Sequence, residues 1–101
     1  MIEWNENISG EQATLNLEGK ITFENAGELR NRVKAILSEF PLKTLTFDLA
    51  GVRFVDSSGL GLLVSIKNTM VKRNGSFKIV NITETVRNIM NQTGLDKYFE
   101  I

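Results

Sequence analysis

The sequence predicts a single compact α/β domain with a mixed, mostly parallel β-sheet, an N-terminal antiparallel hairpin and three to four helices. Three observations carry that prediction. Runs in which apolar residues alternate at period two interleave with runs of helical period, which argues for parallel strands joined by helical crossovers. A turn signal near the start joins two strand-like runs directly, which argues for an antiparallel edge. The 101 residues, 42% hydrophobic and 24% charged, suffice for one core and are too few for two. The whole chain, residues 1–101, therefore reads as one domain.

The hairpin occupies the first nineteen residues. Ile2, Trp4 and Ile8 punctuate a polar first strand, and Ser9-Gly10 supplies a turn whose glycine tolerates positive φ. Ala13, Leu15 and Leu17 then alternate with Thr14, Asn16 and Glu18 as a half-buried strand, which Gly19 closes. From about Phe23 to Phe40 the pattern is helical. Ala26, Leu29, Val33, Ile36 and Leu37 form one apolar stripe, Thr22 or Asn25 caps the start, and Pro41 ends the helix.

Leu45, Phe47 and Leu49 alternate as a third strand, after which Gly51 and Arg53 punctuate a link to Phe54-Val55. Asp56-Ser57-Ser58-Gly59 leads into a buried helix from Leu60 to Arg73, stopped by Asn74-Gly75. Met70 fits the core stripe of that helix. Phe77, Ile79 and Ile82 suggest a further strand. Thr83 with Glu84 opens a helix carrying Val86, Ile89 and Met90, Gly94 ends it, and Leu95, Tyr98, Phe99 and Ile101 pack a short tail. The crossovers between parallel strands are expected to be right-handed.

Composition removes several function classes. Lys plus Arg and Asp plus Glu number twelve each, so there is neither net charge nor a basic stripe for nucleic acid. The chain has no cysteine, hence no disulfide and no thiolate metal site, and no histidine, hence no imidazole zinc site and no Ser-His-Asp hydrolysis. No metal, no cofactor and no catalysis are expected: Asp56 and Ser57 have no base or oxyanion partner readable from sequence. The first residues lack a basic region and an apolar run, and no stretch approaches the roughly 20 apolar residues of a membrane span. A cytoplasmic protein without membrane insertion is expected.

The segment with chemical promise is Asp56-Ser57-Ser58-Gly59-Leu60-Gly61, at a strand-to-helix handover where α/β domains tend to place functional groups. Asp56 and the serines are good N-caps. Gly59 and Gly61 remove bulk, so that another surface can approach the backbone. Ser57 and Ser58 put hydroxyls at a helix start, where a phosphate meets free N–H groups and a favourable dipole. An ordinary cap and turn uses the same residue types, and these few residues do not separate the two readings.

The surrounding run does. Phe47-Asp48-Leu49-Ala50-Gly51-Val52-Arg53-Phe54-Val55-Asp56-Ser57-Ser58-Gly59-Leu60-Gly61-Leu62-Leu63 closely resembles the STAS family (sulfate transporter and anti-sigma factor antagonist). Leu17-Glu18-Gly19-Lys20-Ile21 resembles that family's second strand and following loop, and Thr93-Gly94-Leu95-Asp96-Lys97-Tyr98-Phe99 its closing segment. The resemblance implies a bacterial anti-anti-sigma factor that binds an ATP-holding anti-sigma factor, itself a serine kinase, and so frees the sigma factor. It implies phosphorylation of the first serine after the Asp, here Ser57, with Ser58 as the alternative acceptor, and reversal by a PP2C-type phosphatase. Ser58 takes second place on the expectation that its hydroxyl is bonded as a cap.

The partner surface implied is Thr22, Phe23, Asp56, Ser57, Ser58, Gly59, Leu60 and Gly61, with Arg53 as a possible addition. Thr22 departs from the family, where many members carry Asp before the first helix, so this loop bears on partner choice. Phe23 is expected to pack as a hydrophobic staple against the helix, with an exposed contact as the alternative. Two other functions fit the same family: a constitutive subunit of a lipid or anion transport complex, and a scaffold in a stress-signalling assembly.

Overall fold

In the computed structural model, which describes residues 2–101, the alternating and helical runs become four strands and four helices. Their order is β1 (Ile2–Ser9), β2 (Gln12–Ile21), α1 (Ala26–Glu39), β3 (Thr44–Val55), α2 (Ser57–Lys72), β4 (Ser76–Val80), α3 (Glu84–Thr93) and α4 (Leu95–Tyr98). The sheet order is β1-β2-β3-β4. β1 runs antiparallel to β2, while β2–β3 and β3–β4 are parallel. The expected mixed sheet with an antiparallel edge is thus present, and Gly10 turns the hairpin at φ 62°.

Register explains where the core lies. Ala13, Leu45 and Phe77 align in one cross-strand row and Leu15, Phe47 and Ile79 in the next, and all six are buried. The Phe47 and Phe77 rings meet edge-on at 5.0 Å, and Phe99 from the tail meets Phe77 at 6.4 Å. Burying such side chains fully is worth about 1.5–3 kcal/mol each. The alternate rows, Thr14–Thr46–Lys78 between them and Asn16–Asp48–Val80 beyond, point to the other, mostly polar face. α2 packs on β3 and β4, α1 on α2, and α3 on β3 and α4.

The third strand differs from expectation. It does not stop near Leu49 but continues through Gly51 and Arg53 to Val55, and β2 likewise passes Gly19 to reach Ile21. The ladder slips between Asn16 and Glu18 and again between Gly19 and Lys20, each time by one extra residue on β3. These bulges change the buried spacing from Leu45, Phe47, Leu49 to Val52 and Val55, so that a period of two becomes three while the strand persists. Gly51 is needed there, because a Cβ would lie 2.9 Å from the Leu17 carbonyl oxygen.

One polar contact ties β1 to α1. Arg32 Nε and Nη2 donate to Glu6 Oε2 and Oε1, both at 2.6 Å, and Trp4 Nε1 donates to Glu6 Oε2 at 3.1 Å. Glu6 stands opposite Leu15, in the helix-facing row of β1. The guanidinium holds its carboxyl below the ordinary value.

Candidate functional site

The bulged ladder ends with Ile21 level with Val55, so β2 and β3 hand over to α1 and α2 side by side. The Asp56 backbone N–H donates to the Ile21 carbonyl at 3.1 Å. The Asp56 side chain then serves both connections. Oδ1 accepts from the Gly59 N–H at 2.8 Å, capping α2, and Oδ2 accepts from the Phe23 N–H at 3.0 Å. One carboxylate therefore fastens the turn before α1 to the first turn of α2.

Asn25 rigidifies that turn from below. It is buried at 6% exposure, its Nδ2 donates to the Lys20 carbonyl at 2.9 Å, and its Oδ1 accepts from the Thr22 N–H at 3.0 Å. The Thr22 carbonyl accepts from Asn25 and Ala26. Asn25 occupies the N-cap position of α1 yet its side chain makes no cap bond, being spent on the turn. α1 accordingly starts at Ala26 and not at Phe23. Phe23 lies in a turn with its ring 72% exposed, so the staple expected of it does not form and the side chain faces solvent. An apolar ring left in water on that scale forgoes the stabilisation of burial unless a partner covers it.

Across from Phe23, Ser57 and Ser58 are the first two residues of α2 and both are exposed. The helix begins there, not at Leu60, because Asp56 alone supplies the cap. The serines are not caps, and the reason for ranking Ser58 behind Ser57 on cap bonding falls away. Gly59 also departs from its expected role. It is buried, and a Cβ would sit 2.4 Å from the Ile21 carbonyl oxygen and 2.7 Å from Val55 Cγ1. Gly59 admits the protein's own β2 backbone and not an outside surface. Leu60 is buried as well, at 8%.

Gly61 fits the open role: it is exposed, and a Cβ there meets nothing within 4 Å. With Phe23, Ala26, Gly27, Arg30 and Ser58 it lines a hollow of about 510 Å³ between the two helix starts. Thr22 is half-buried beneath the turn, and Arg53 is exposed on the bulged strand, outside that hollow. The sequence reading missed Asn25 as a turn-former, although an Asn shortly before a helix is a turn signal, and it missed Gly27 and Arg30. An isolated glycine in a helical run was the available cue for Gly27. Among the described residues no cluster of acidic side chains forms a metal site, and no helix is long and apolar enough to cross a membrane.

Comparison with known proteins gives a consistent picture. A family model described as STAS domain matches residues 2–101. The anti-sigma F factor antagonist of Lysinibacillus sphaericus is 24% identical over 90 residues, covering 89% of this chain and 77% of its own. The anti-sigma-B factor antagonist of Bacillus subtilis (strain 168) is 29% identical over 87 residues, 86% of this chain and 78% of its own. Among solved structures, the anti-sigma factor antagonist SpoIIAA in its unphosphorylated form matches with a TM-score of 0.83 at 20% identity, over 94% of this chain and 84% of that one. Its phosphorylated form matches with a TM-score of 0.75 at 19% identity, over 94% and 86%. At those identities the structural likeness establishes a common fold.

Proposed function

This chain belongs to the STAS domain family, and on that premise we propose that it acts as an anti-sigma factor antagonist gated by phosphorylation of Ser57. In the unphosphorylated state it docks on an anti-sigma factor that is also an ATP-dependent serine kinase, and the sigma factor is released. The observation that carries this reading is the pairing of an exposed Ser57 at the start of α2 with an exposed Phe23, held together through the two oxygens of Asp56. An apolar anchor beside a modifiable hydroxyl is what a switchable docking surface requires. The protein is a binding module in the cytoplasm, and the nucleotide belongs to its partner.

The chemistry follows from the position. The kinase transfers the γ-phosphoryl group of ATP to Ser57 Oγ: an O–P bond forms, the bond to ADP breaks, and the hydroxyl proton is released. A PP2C-type phosphatase returns the hydroxyl by hydrolysis. A phosphoserine adds about −1.5 to −2 charges at pH 7. At the start of α2 the dipole offsets part of this, typically about 0.3–1 kcal/mol for one exposed charge, so the fold survives. A partner seated over the hydroxyl has instead to desolvate a dianion, which costs several kcal/mol. About 1.4 kcal/mol is already a tenfold change in affinity. The modification thus acts on the interface. The resemblance of the Asp56-Ser57 segment to the family supports Ser57 over Ser58, and both residues are exposed.

The test is a paired pull-down from native cytosol with wild type and Ser57→Asp as baits, and Ser58→Asp as a third. A serine-kinase-like ATP-binding protein held by wild type and lost with Ser57→Asp is the expected result. Equal retention of that protein by wild type and Ser57→Asp overturns the gating, and transport components held by all three baits favour the constitutive-subunit role.

A further inference from the structure

Two glycines lie inside helices without any use to the fold. Gly27 in α1 and Gly61 in α2 are exposed, neither adopts a left-handed backbone, and a Cβ at either would meet nothing within 4 Å. Glycine weakens a helix relative to alanine, so nothing internal accounts for these two. They face each other across the hollow headed by Phe23 and Ser58. Beyond Arg30, which borders both, a narrow cleft of about 40 Å³ lies between the helices, with Arg30 and Lys34 on one wall and Ser65 and Thr69 on the other. Positions 27, 30 and 34 in α1, with Phe23 in the turn before it, and 58, 61, 65 and 69 in α2 recur every three or four residues, which is one helix face apiece.

The charge of this groove is one-sided. Arg30 and Lys34 are its charged lining residues, and both are exposed. Among the described residues the ion pairs are Arg32–Glu6 and Lys43–Glu11, so neither groove cation has an acidic partner. In a chain with twelve basic and twelve acidic residues, an uncompensated basic wall calls for negative charge from outside.

We propose that the α1–α2 groove docks an acidic amphipathic helix of the partner protein. Small or apolar side chains of that helix pack over Gly27 and Gly61 beside Phe23, and its carboxylates meet Arg30 and Lys34. From Ala26 to Lys34 the α1 wall runs about 12 Å, a little over two helical turns, and a groove walled by two helices suits a helix laid along it. The assignment of this helix to the anti-sigma factor rests on the function proposed above; its acidic, helical character rests on the groove.

The probe is a synthetic helical peptide of roughly 18 residues with an alanine–leucine stripe flanked by glutamates at i and i+4. It is titrated into the isotope-labelled full chain and followed by amide chemical shifts. Counterparts carry lysine for glutamate, or two central prolines. The acidic peptide is expected to shift Gly27, Arg30, Gly61 and Ser65 and to weaken several-fold between about 50 and about 300 mM salt. Arg30→Glu combined with Lys34→Glu is expected to lower its affinity at least about tenfold and to favour the lysine peptide. Gly27→Ala with Gly61→Ala is expected to raise the melting temperature while weakening the peptide, an opposition that a purely structural role for the glycines does not produce.

Equal binding of the lysine or proline peptide overturns the proposal. So does an absence of shifts in the groove, or a groove that responds to anionic phosphatidylglycerol vesicles and not to the peptide. The titration does not depend on phosphorylation of Ser57, so its failure and failure of the pull-down are separate results.

Discussion

Replacing Gly59 by alanine tests whether the handover between the two strand ends has been understood. The new Cβ would lie 2.4 Å from the Ile21 carbonyl oxygen, 2.7 Å from Val55 Cγ1 and 3.1 Å from the Ile21 carbonyl carbon. Two of the three are backbone atoms, so the contact is relieved only by moving β2 away from α2. That movement strains the Asp56 N–H to Ile21 bond and the Asp56 cap on residue 59. Overpacking costs about 1–3 kcal/mol, a loosened cap about 1 more, and the better helix propensity of alanine returns about 1. The net loss is about 1–3 kcal/mol. Urea unfolding reads it as a midpoint lower by about 1–2 M with an unchanged slope, and a thermal scan as a drop of roughly 5–20 °C. Gly61→Ala, two residues on and facing open space, is the matched control and is expected to stabilise. A Gly59→Ala midpoint indistinguishable from wild type would refute the close-approach account.

Asp56→Asn leaves one oxygen to accept from two N–H groups and turns an NH2 toward the other; about 1 kcal/mol is expected to be lost, with faster exchange of the Phe23 amide, and unaltered exchange contradicts the bridging role. Phe23→Ala, at a side chain 72% exposed, is expected to change stability by no more than about 0.5 kcal/mol while costing partner capture about tenfold or more; a large loss of stability instead would mean the ring packs. Glu6 has a folded pKa depressed below 4.5 chiefly by its hydrogen bonds from Arg32. Its contribution is therefore complete above that value and is lost as pH falls through the folded pKa. The gap in urea midpoint between wild type and Glu6→Gln should be widest at neutral pH and close on acidification; a gap independent of pH refutes the ion-pair reading.

Much of the architecture was legible because it follows from local rules. The alternation at Leu45, Phe47 and Leu49, the stripe from Ala26 to Leu37, and the stop at Gly94, where φ is 74°, each depend on residues near in sequence. What escaped depends on neighbours far along the chain. Val52 and Val55 break period two because β3 carries extra residues against β2, and no local pattern announces a bulge. Gly59 reads as an opening for an outside surface until the Ile21 carbonyl is known to lie against it. The motif around Asp56 was visible, but its second hydrogen bond joins residues 33 apart. Phe23 looked like a staple because the sequence did not reveal that Asn25 would spend its side chain on Lys20 and Thr22.

The sheet order β1-β2-β3-β4 bears on how the chain assembles as it is made. Each strand pairs with the one synthesised just before it, so no strand has to be threaded between two others. Once Val55 has emerged, three of the four strands have their ladder partners available, and each later step adds to an exposed edge. The two demanding closures join parallel neighbours: β2 onto β3 must await α1, and β3 onto β4 must await α2, as the crossover. Until β4 arrives, the outer edge of β3 is unpaired and open to any other extended segment. Ser76–Val80 is thus the segment that covers the long β3 edge, leaving the five-residue β4 as the edge on that side.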